Sequence, residues 1–378
     1  MQTEDSRITA GWSVGRSIAL ELDVIFTIIG GYFLSGGFPG ELMEMIQSLP
    51  EDWRADFSLF MGDESRIIDF LDPLASLAGV VEVEDYSRAT LAMRELTLPG
   101  ALETLIERVS SLDVPLHLDL PANERLAALL VEEMIAVYTS LGMEIAPEGA
   151  RARQVRHDAL HATRVLRDGD LYVRFWHWLD RFYYEFYHPW RQTQIEKMDQ
   201  MHRRAVIALG AEQDQAAVPD ISWLPPQSPL LRFPELQAAV KAGKMHVFFW
   251  EEPFGLSDVT SSKPGWILVS FADPGDLYRN FQIAAEQIAE RTKALADPTR
   301  LIILRLIRNF GMINTEIAAY LNLARPTISV HARILREAGL ISSQQEGREM
   351  RHKLETQEVR RLFHDLERFL DLKDDPAP

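Results

Sequence analysis

Six side chains between Arg325 and Arg333 form a compact set of groups able to read another polymer. Arg325 and Arg333 supply guanidinium groups, Thr327 and Ser329 hydroxyls, His331 an imidazole, and Val330 an apolar branch. Hydroxyl, imidazole and guanidinium groups can pair with base edges or phosphates, and a valine can meet a thymine methyl. The same stretch repeats Ile328, Ala332 and Leu335 at helical spacing, so the polar set and the apolar set fall on opposite faces of one helix, with His331 near the edge.

The flanking residues say how such a helix is held. Pro326 sits in the first turn, where a missing amide hydrogen costs nothing, and Gly339 suits the left-handed position after a helix. Upstream, Ile317, Ala318 and Leu321 mark a shorter helix whose cap is expected at Asn314 or Thr315, with Asn322 and Leu323 as a tight turn. Two short helices around so small a break form a helix-turn-helix, whose second helix enters the major groove. Ile341 to Gln345 and Glu349 to Leu354 read as two strands around Glu346-Gly347-Arg348, a hairpin carrying Arg348, Arg351 and Lys353. Before them, Asp297 caps and Pro298 opens another helix through Leu301, Ile302, Leu304 and Leu306.

The segments ALADPTR, PTISVHARILREAGLI and EGREMRHKL, in this order, resemble the ArsR-type winged-helix transcriptional repressors over roughly residues 285 to 372. The resemblance implies a homodimer on a double-stranded operator, with one recognition helix in each of two successive major grooves. It places the interface on the helices Phe281 to Ala294 and Thr356 to Leu372. Two positions depart from the family pattern: Ala324 stands where a serine or threonine caps the recognition helix, and Val330 where a basic or polar residue is common. Thiolate metal sensing is also common in the family, and this chain has no cysteine. A second kind of family metal site, built from carboxylate and imidazole pairs on the last helix, finds only the half pair His364 and Glu367 here.

The formal net charge is -17, yet Glu290 to Lys353 holds eleven Lys or Arg against six Asp or Glu, a local balance of +5 inside a remainder of -22. A mildly basic head on an acidic body concentrates attraction for a polyanion on one face. The acidic start MQTEDSRITAGW does not read as a secretory signal, and Val24 to Phe38 is too short to span a bilayer. That run reads as a buried helix interrupted at Gly30-Gly31. No membrane partner and a cytoplasmic location are expected.

The N-terminal part shows no phosphate loop, nucleophile elbow or internal repeat. Helices are expected near 39–48, 65–78, 86–96, 100–112 and 123–141, with Val80 to Val83 and Leu116 to Leu120 as strands or connectors. Its unusual segment runs from Arg151 to Leu209. His157 and His161 are four apart, a spacing that zinc-binding helices use, but Asp158 stands where a metalloprotease carries glutamate, so the pair reads as exposed histidines and no metal is expected. Arginines including Arg156 could hold an anion, and the aromatic helix at 171–190 is either core or a pocket in which Trp176, His177, Tyr183 and Tyr187 orient a small effector. Lys244 to Glu251 and Gly265 to Phe271 read as two strands pairing as a hairpin across the polar loop Ser257 to Pro264.

These readings give a mainly α fold with small β elements, an α-rich (α+β) N-terminal part and a C-terminal winged helix-turn-helix. The expected domains are 1–149, 150–280 as an effector or assembly region, 281–372 for DNA and dimerisation, and a disordered tail at 373–378. The expected function is a non-enzymatic, dimeric transcriptional repressor without a cofactor, whose operator affinity follows a signal read before about residue 280. The competing class is a metal- or ligand-binding, enzyme-like N-terminal domain that uses the winged helix only for dimerisation or protein contact.

Overall fold

The computed structural model describes residues 11–35, 42–61, 70–140, 142, 145–167, 169–209, 221, 224, 231, 234–254, 259–271, 274–346 and 349–370. The chain divides into two compact units, Met1–Gly31 with Gly40–Leu277, and Tyr32–Pro39 with Tyr278–Pro378. The boundary expected at residue 149 therefore falls inside one unit. The reason is a sheet that draws its strands from both ends of that unit.

The first unit contains β1 (Gly11–Gly15), α1 (Ile18–Ser35) as far as Gly31, α2 (Leu42–Ser48), α3 (Glu51–Met61), α4 (Leu71–Leu77), α5 (Tyr86–Glu95), α6 (Leu98–Val109), α7 (Ala122–Ser140), α8 (Ala150–Arg167) and α9 (Gly169–Phe182). A π-helical segment, Tyr183–Tyr187, joins α9 to α10 (His188–Ala208), followed by α11 (Pro234–Lys241), β2 (His246–Glu251), β3 (Val259–Lys263) and β4 (Trp266–Phe271). The chain leaves this unit along α12 (Pro274–Leu295). α1 runs unbroken through Gly30-Gly31, against the expected interruption. Two glycines cost a helix interior about 1 kcal/mol each, and the buried neighbours Ile25, Phe26, Ile28 and Ile29 offset that cost. Val80 to Val83 and Leu116 to Leu120 form turns and connectors, not strands.

The sheet order is β1-β2-β4-β3. β2 and β4 are parallel neighbours with Phe248 opposite Leu268, so the expected hairpin between them does not form. Part of the supposed polar loop is β3, which pairs antiparallel with β4 around the turn at Gly265, a residue at φ 71°. β1 adds in parallel to β2, with Trp12 opposite Val247. The runs HVFFWE and WILVSF are apolar along nearly their whole length because both central strands are covered on two faces, the habit of parallel sheets. Trp12, Val247, Phe249, Ile267 and Val269 pack there with Met201, Ala205 and Val240.

A second packing centre is aromatic. Trp53 of α3 stacks on Trp178 of α9 with ring centroids 4.9 Å apart, and Phe26, Phe57, Phe60 and Phe182 close around them. Asp23 of α1 caps α4 from a distance: its carboxylate accepts the amides of Phe70, Leu71 and Asp72 at 2.8–3.2 Å, supplying acceptors to a helix start that has no side-chain cap of its own.

Candidate nucleic-acid interface

In the second unit, α13 (Pro298–Phe310), α14 (Asn314–Leu321) and α15 (Arg325–Glu337) precede β5 (Ile341–Glu346), β6 (Glu349–Leu354) and α16 (Thr356–Phe369). The Asp297 carboxylate accepts the Arg300 amide at 2.9 Å, capping α13 with Pro298 in its first turn. That hydrogen bond holds the Asp297 carboxyl below the usual carboxylate range. The Arg300 guanidinium donates back to the Ala294 and Lys293 carbonyls at 2.6 and 2.9 Å, closing the end of α12. α14 starts one residue earlier than expected. Its cap position is Ile313, whose amide is taken by the Glu316 carboxylate at 3.0 Å, so a residue inside the helix does what Asn314 or Thr315 was expected to do. Asn322 takes the left-handed turn at φ 53°.

α15 is held by the three residues its spacing nominates. Ile328, Ala332 and Leu335 are buried against Ile303, Ile307, Ile317 and Leu340. Arg325, Thr327, Ser329, Val330 (47% exposed) and Arg333 are all exposed, so one side of the helix stays open. His331 behaves differently. Its side chain is only 17% exposed and its Nδ1 lies 3.9 Å from Asp297, so it faces the α13 cap rather than the open side.

The wing is a six-residue pair with Ile341 opposite Leu354 and Glu346 opposite Glu349. Lys353 is exposed, whereas Arg351 donates to the Gly311 carbonyl at 3.0 Å and so fastens the wing to the α13–α14 connector. Arg348 lies outside the described residues. His352, which no sequence signal marked, is buried and bridges the Ser343 hydroxyl at 2.7 Å and the Asn314 side-chain Oδ1 at 3.0 Å. Burial, with Arg336 nearby, lowers its pKa, and a neutral ring suits this bridge. α12 and α16 are tied by Arg291, which donates to the Glu358 carbonyl and carboxylate at 3.0 and 3.1 Å. α16 buries Leu362 and leaves Phe363 and Phe369 exposed.

The N-terminal candidates do not converge. Trp176 is buried with the Arg94 guanidinium 5.0 Å above its ring, while His177 and Arg156 are exposed. Tyr183 stacks on Tyr86 at 3.7 Å, and Tyr187 is fully buried with its hydroxyl donating to Glu21 at 2.9 Å. The aromatic helix is thus packed core. His157 and His161 lie with ring centroids 4.4 Å apart, and Asp158 is 3.1 Å from His157 Nδ1. Among the described residues no three His, Asp or Glu side chains are grouped to hold a metal. The His364 side chain lies outside the described residues.

Residues 297–343 match the family model of the bacterial regulatory proteins of the arsR family. Over 63 residues the chain is 44% identical to an uncharacterized HTH-type transcriptional regulator of Methanocaldococcus jannaschii, spanning 16% of this chain and 71% of that protein. The chain belongs to the ArsR family. This ArsR-family chain is also 39% identical over 64 residues to the transcriptional repressor SdpR of Bacillus subtilis, covering 17% of the chain and 71% of the repressor. It is 34% identical over 80 residues to the HTH-type transcriptional regulator NmtR of Mycobacterium tuberculosis, covering 21% and 67% respectively. Among solved structures, an ArsR-like transcriptional regulator from Rhodococcus sp. RHA1 matches with 28% identity over 23% of this chain and 83% of that one, at a TM-score of 0.22. All these matches leave most of the first unit uncovered.

Proposed function

We propose that the chain is a DNA-binding transcriptional repressor that acts as a homodimer, with operator affinity set by a signal read in the N-terminal unit. The observation that carries this reading is α15: three buried anchors hold a helix whose opposite side exposes two guanidinium groups, two hydroxyls and a valine. Such a side fits a major groove, where guanidinium groups pair with guanine and phosphate, and hydroxyls with bases or phosphates. The named function of SdpR, a transcriptional repressor, supports the direction of control. The exposed Phe363 and Phe369 on α16 support pairing of two copies through that helix, because exposed aromatic rings beside a buried core are a common dimer surface.

On this reading the first unit is a sensor rather than a catalyst, and the chain needs no resident cofactor. Among the described residues no helix is long and apolar enough to cross a membrane. The test is selection of genomic fragments by the full-length protein at two salt concentrations. An inverted repeat with half-sites about one helical turn apart supports the proposal. Unrelated fragments that dissociate as salt rises contradict it.

A further inference from the structure

The carboxyl ends of β1 and β2 lie side by side, and each is followed or ended by an ionisable residue. Arg16 follows β1 and donates from Nε to Glu251 Oε2, at the end of β2, at 3.1 Å. Its other two nitrogens hold Glu84 at 3.1 Å and Asp199 at 2.7 Å. Glu84 also accepts from Arg191 at 2.9 Å, and Arg191 grips the buried Glu21 at 2.6 and 3.1 Å. The π-helical segment is part of this construction. It adds a residue to the turn before α10, and that α9–α10 junction delivers Tyr187 and Arg191 together onto Glu21.

Among the described residues, two atoms in this network have no hydrogen bond. Glu251 Oε1 is one, in a side chain only 2% exposed that also lines a cavity of about 10 Å³ with Gln194, Met198 and Met201. His202 Nδ1, on α10, is the other, likewise buried, and lies 3.5 Å from Glu251 Oε2. The Glu251 oxygen nearest His202 is therefore Oε2, the one that also accepts from Arg16, and a buried carboxyl oxygen set between a guanidinium and an imidazole nitrogen can hold one exchangeable proton.

We propose that Glu251 and His202 form a proton-binding site in the N-terminal unit, in which one proton taken from solvent is shared between Glu251 Oε2 and His202 Nδ1. With the proton bound, the carboxyl is neutral, donates to Nδ1 of a neutral ring, and holds Arg16 weakly. When the proton leaves, Glu251 becomes a carboxylate, and its bond to Arg16 becomes charge-assisted and stronger. The site thus tightens or loosens the link between the carboxyl ends of two parallel strands, the region of α/β sheets where ligands are most often read.

The charged surroundings agree with this geometry. Burial, with Glu21 and Asp199 adding to it, pushes the Glu251 carboxyl up to about 7, while Arg16 pulls it down. Burial and Arg16 lower the His202 ring, so it is a neutral acceptor near neutrality, although Glu84 and Asp199 act the other way. Lys197 and Glu252 line the same cavity from α10 and from the residue after β2. Under the regulatory reading above, this is where a signal would enter, but the test needs no DNA.

Infrared difference titration of the full-length protein reads the proton directly, through the carbonyl band of a neutral carboxylic acid. The expected result is a band that disappears near pH 7 in the natural chain and is missing in Glu251→Gln. Arg16→Gln should move its midpoint to higher pH, and His202→Ala, at a half-exposed ring, to lower pH. No such band above the ordinary carboxylate range, the same band in Glu251→Gln, or a midpoint unmoved by His202→Ala would overturn the proposal. Because the last variant alters a rim residue, it answers the question even if Glu251→Gln does not fold. Loss of operator selection with the titration intact would count against the repressor reading and leave this site standing.

Discussion

At the scale of single residues, the open side of α15 separates readers from supports. Ser329 and Thr327 are exposed, whereas His331 is turned toward Asp297, so the two kinds of position should respond differently to truncation. Ser329→Ala should weaken operator binding by about 1–3 kcal/mol, with a smaller loss on random DNA, as for a contact to a base edge. Equal losses on both, by titration at fixed salt, would reassign Ser329 to a phosphate contact. Asp297→Ala should instead lower the stability of the second unit by about 1 kcal/mol, through the lost cap on α13, in chemical unfolding followed by helix content. Much of this residue-level picture was legible beforehand because capping and amphipathic spacing are local rules. Ile328, Ala332 and Leu335 are buried where the 3.6-residue period puts them, and Asp297 caps where Pro298 follows it. The turning of His331 was not legible, since it depends on Asp297, more than thirty positions earlier in the chain.

At the scale of elements, the winged helix is stabilised by a small shared core, so its anchors should be costly to remove. Ile328 is fully buried between α13 and α14, and Ile328→Ala should destabilise the second unit by about 2–5 kcal/mol, by lost burial and the cavity left behind. A loss within experimental error would show that α15 is held mainly by its turns. The wing is fastened by Arg351 on Gly311 and by His352 on Asn314, two links spanning about forty residues that strand patterning could not reveal. The sheet of the first unit shows the same limit more sharply. The apolar runs of β2 and β4 mark strands, but the two pair in parallel and not as the hairpin their closeness in the chain suggests. The polar stretch between them contains an edge strand, and β1 arrives from more than two hundred residues away. Register between distant strands follows from how the helices cover them, and no local residue pattern encodes that.

At the scale of the whole molecule, charge is the governing quantity. A net charge of -17 opposes the approach of DNA except near the basic stretch, so binding should be steeply salt-dependent. The logarithm of affinity should fall linearly with the logarithm of salt, by roughly 0.9 per phosphate neutralised. Removing Arg325 and Lys353 together should reduce that slope by about 2 if each meets one phosphate. A slope unchanged by the pair would place the contacts elsewhere. Stability should depend on pH through Glu251. Its folded pKa, near 7, is raised above the usual value of 4.5, so its contribution is fully present below about pH 4.5 and is lost as pH rises through 7. Unfolding of the natural chain should therefore become easier across that window relative to Glu251→Gln. Parallel curves for the two proteins would contradict this sign. The ion network behind the effect joins Arg16, Glu84, Arg191 and Glu251 from four distant segments, and nothing in their local sequence marked them as neighbours.

Whether α15 reads an operator as one of a dimeric pair is decided by selecting genomic DNA fragments with the full-length protein at low and high salt and sequencing what is retained. An inverted repeat should be enriched at both salts, with half-sites about 34–36 Å apart along the duplex, and Ser329→Ala should blur it. Fragments with no shared motif, lost entirely as salt rises and indifferent to Ser329→Ala, would contradict it.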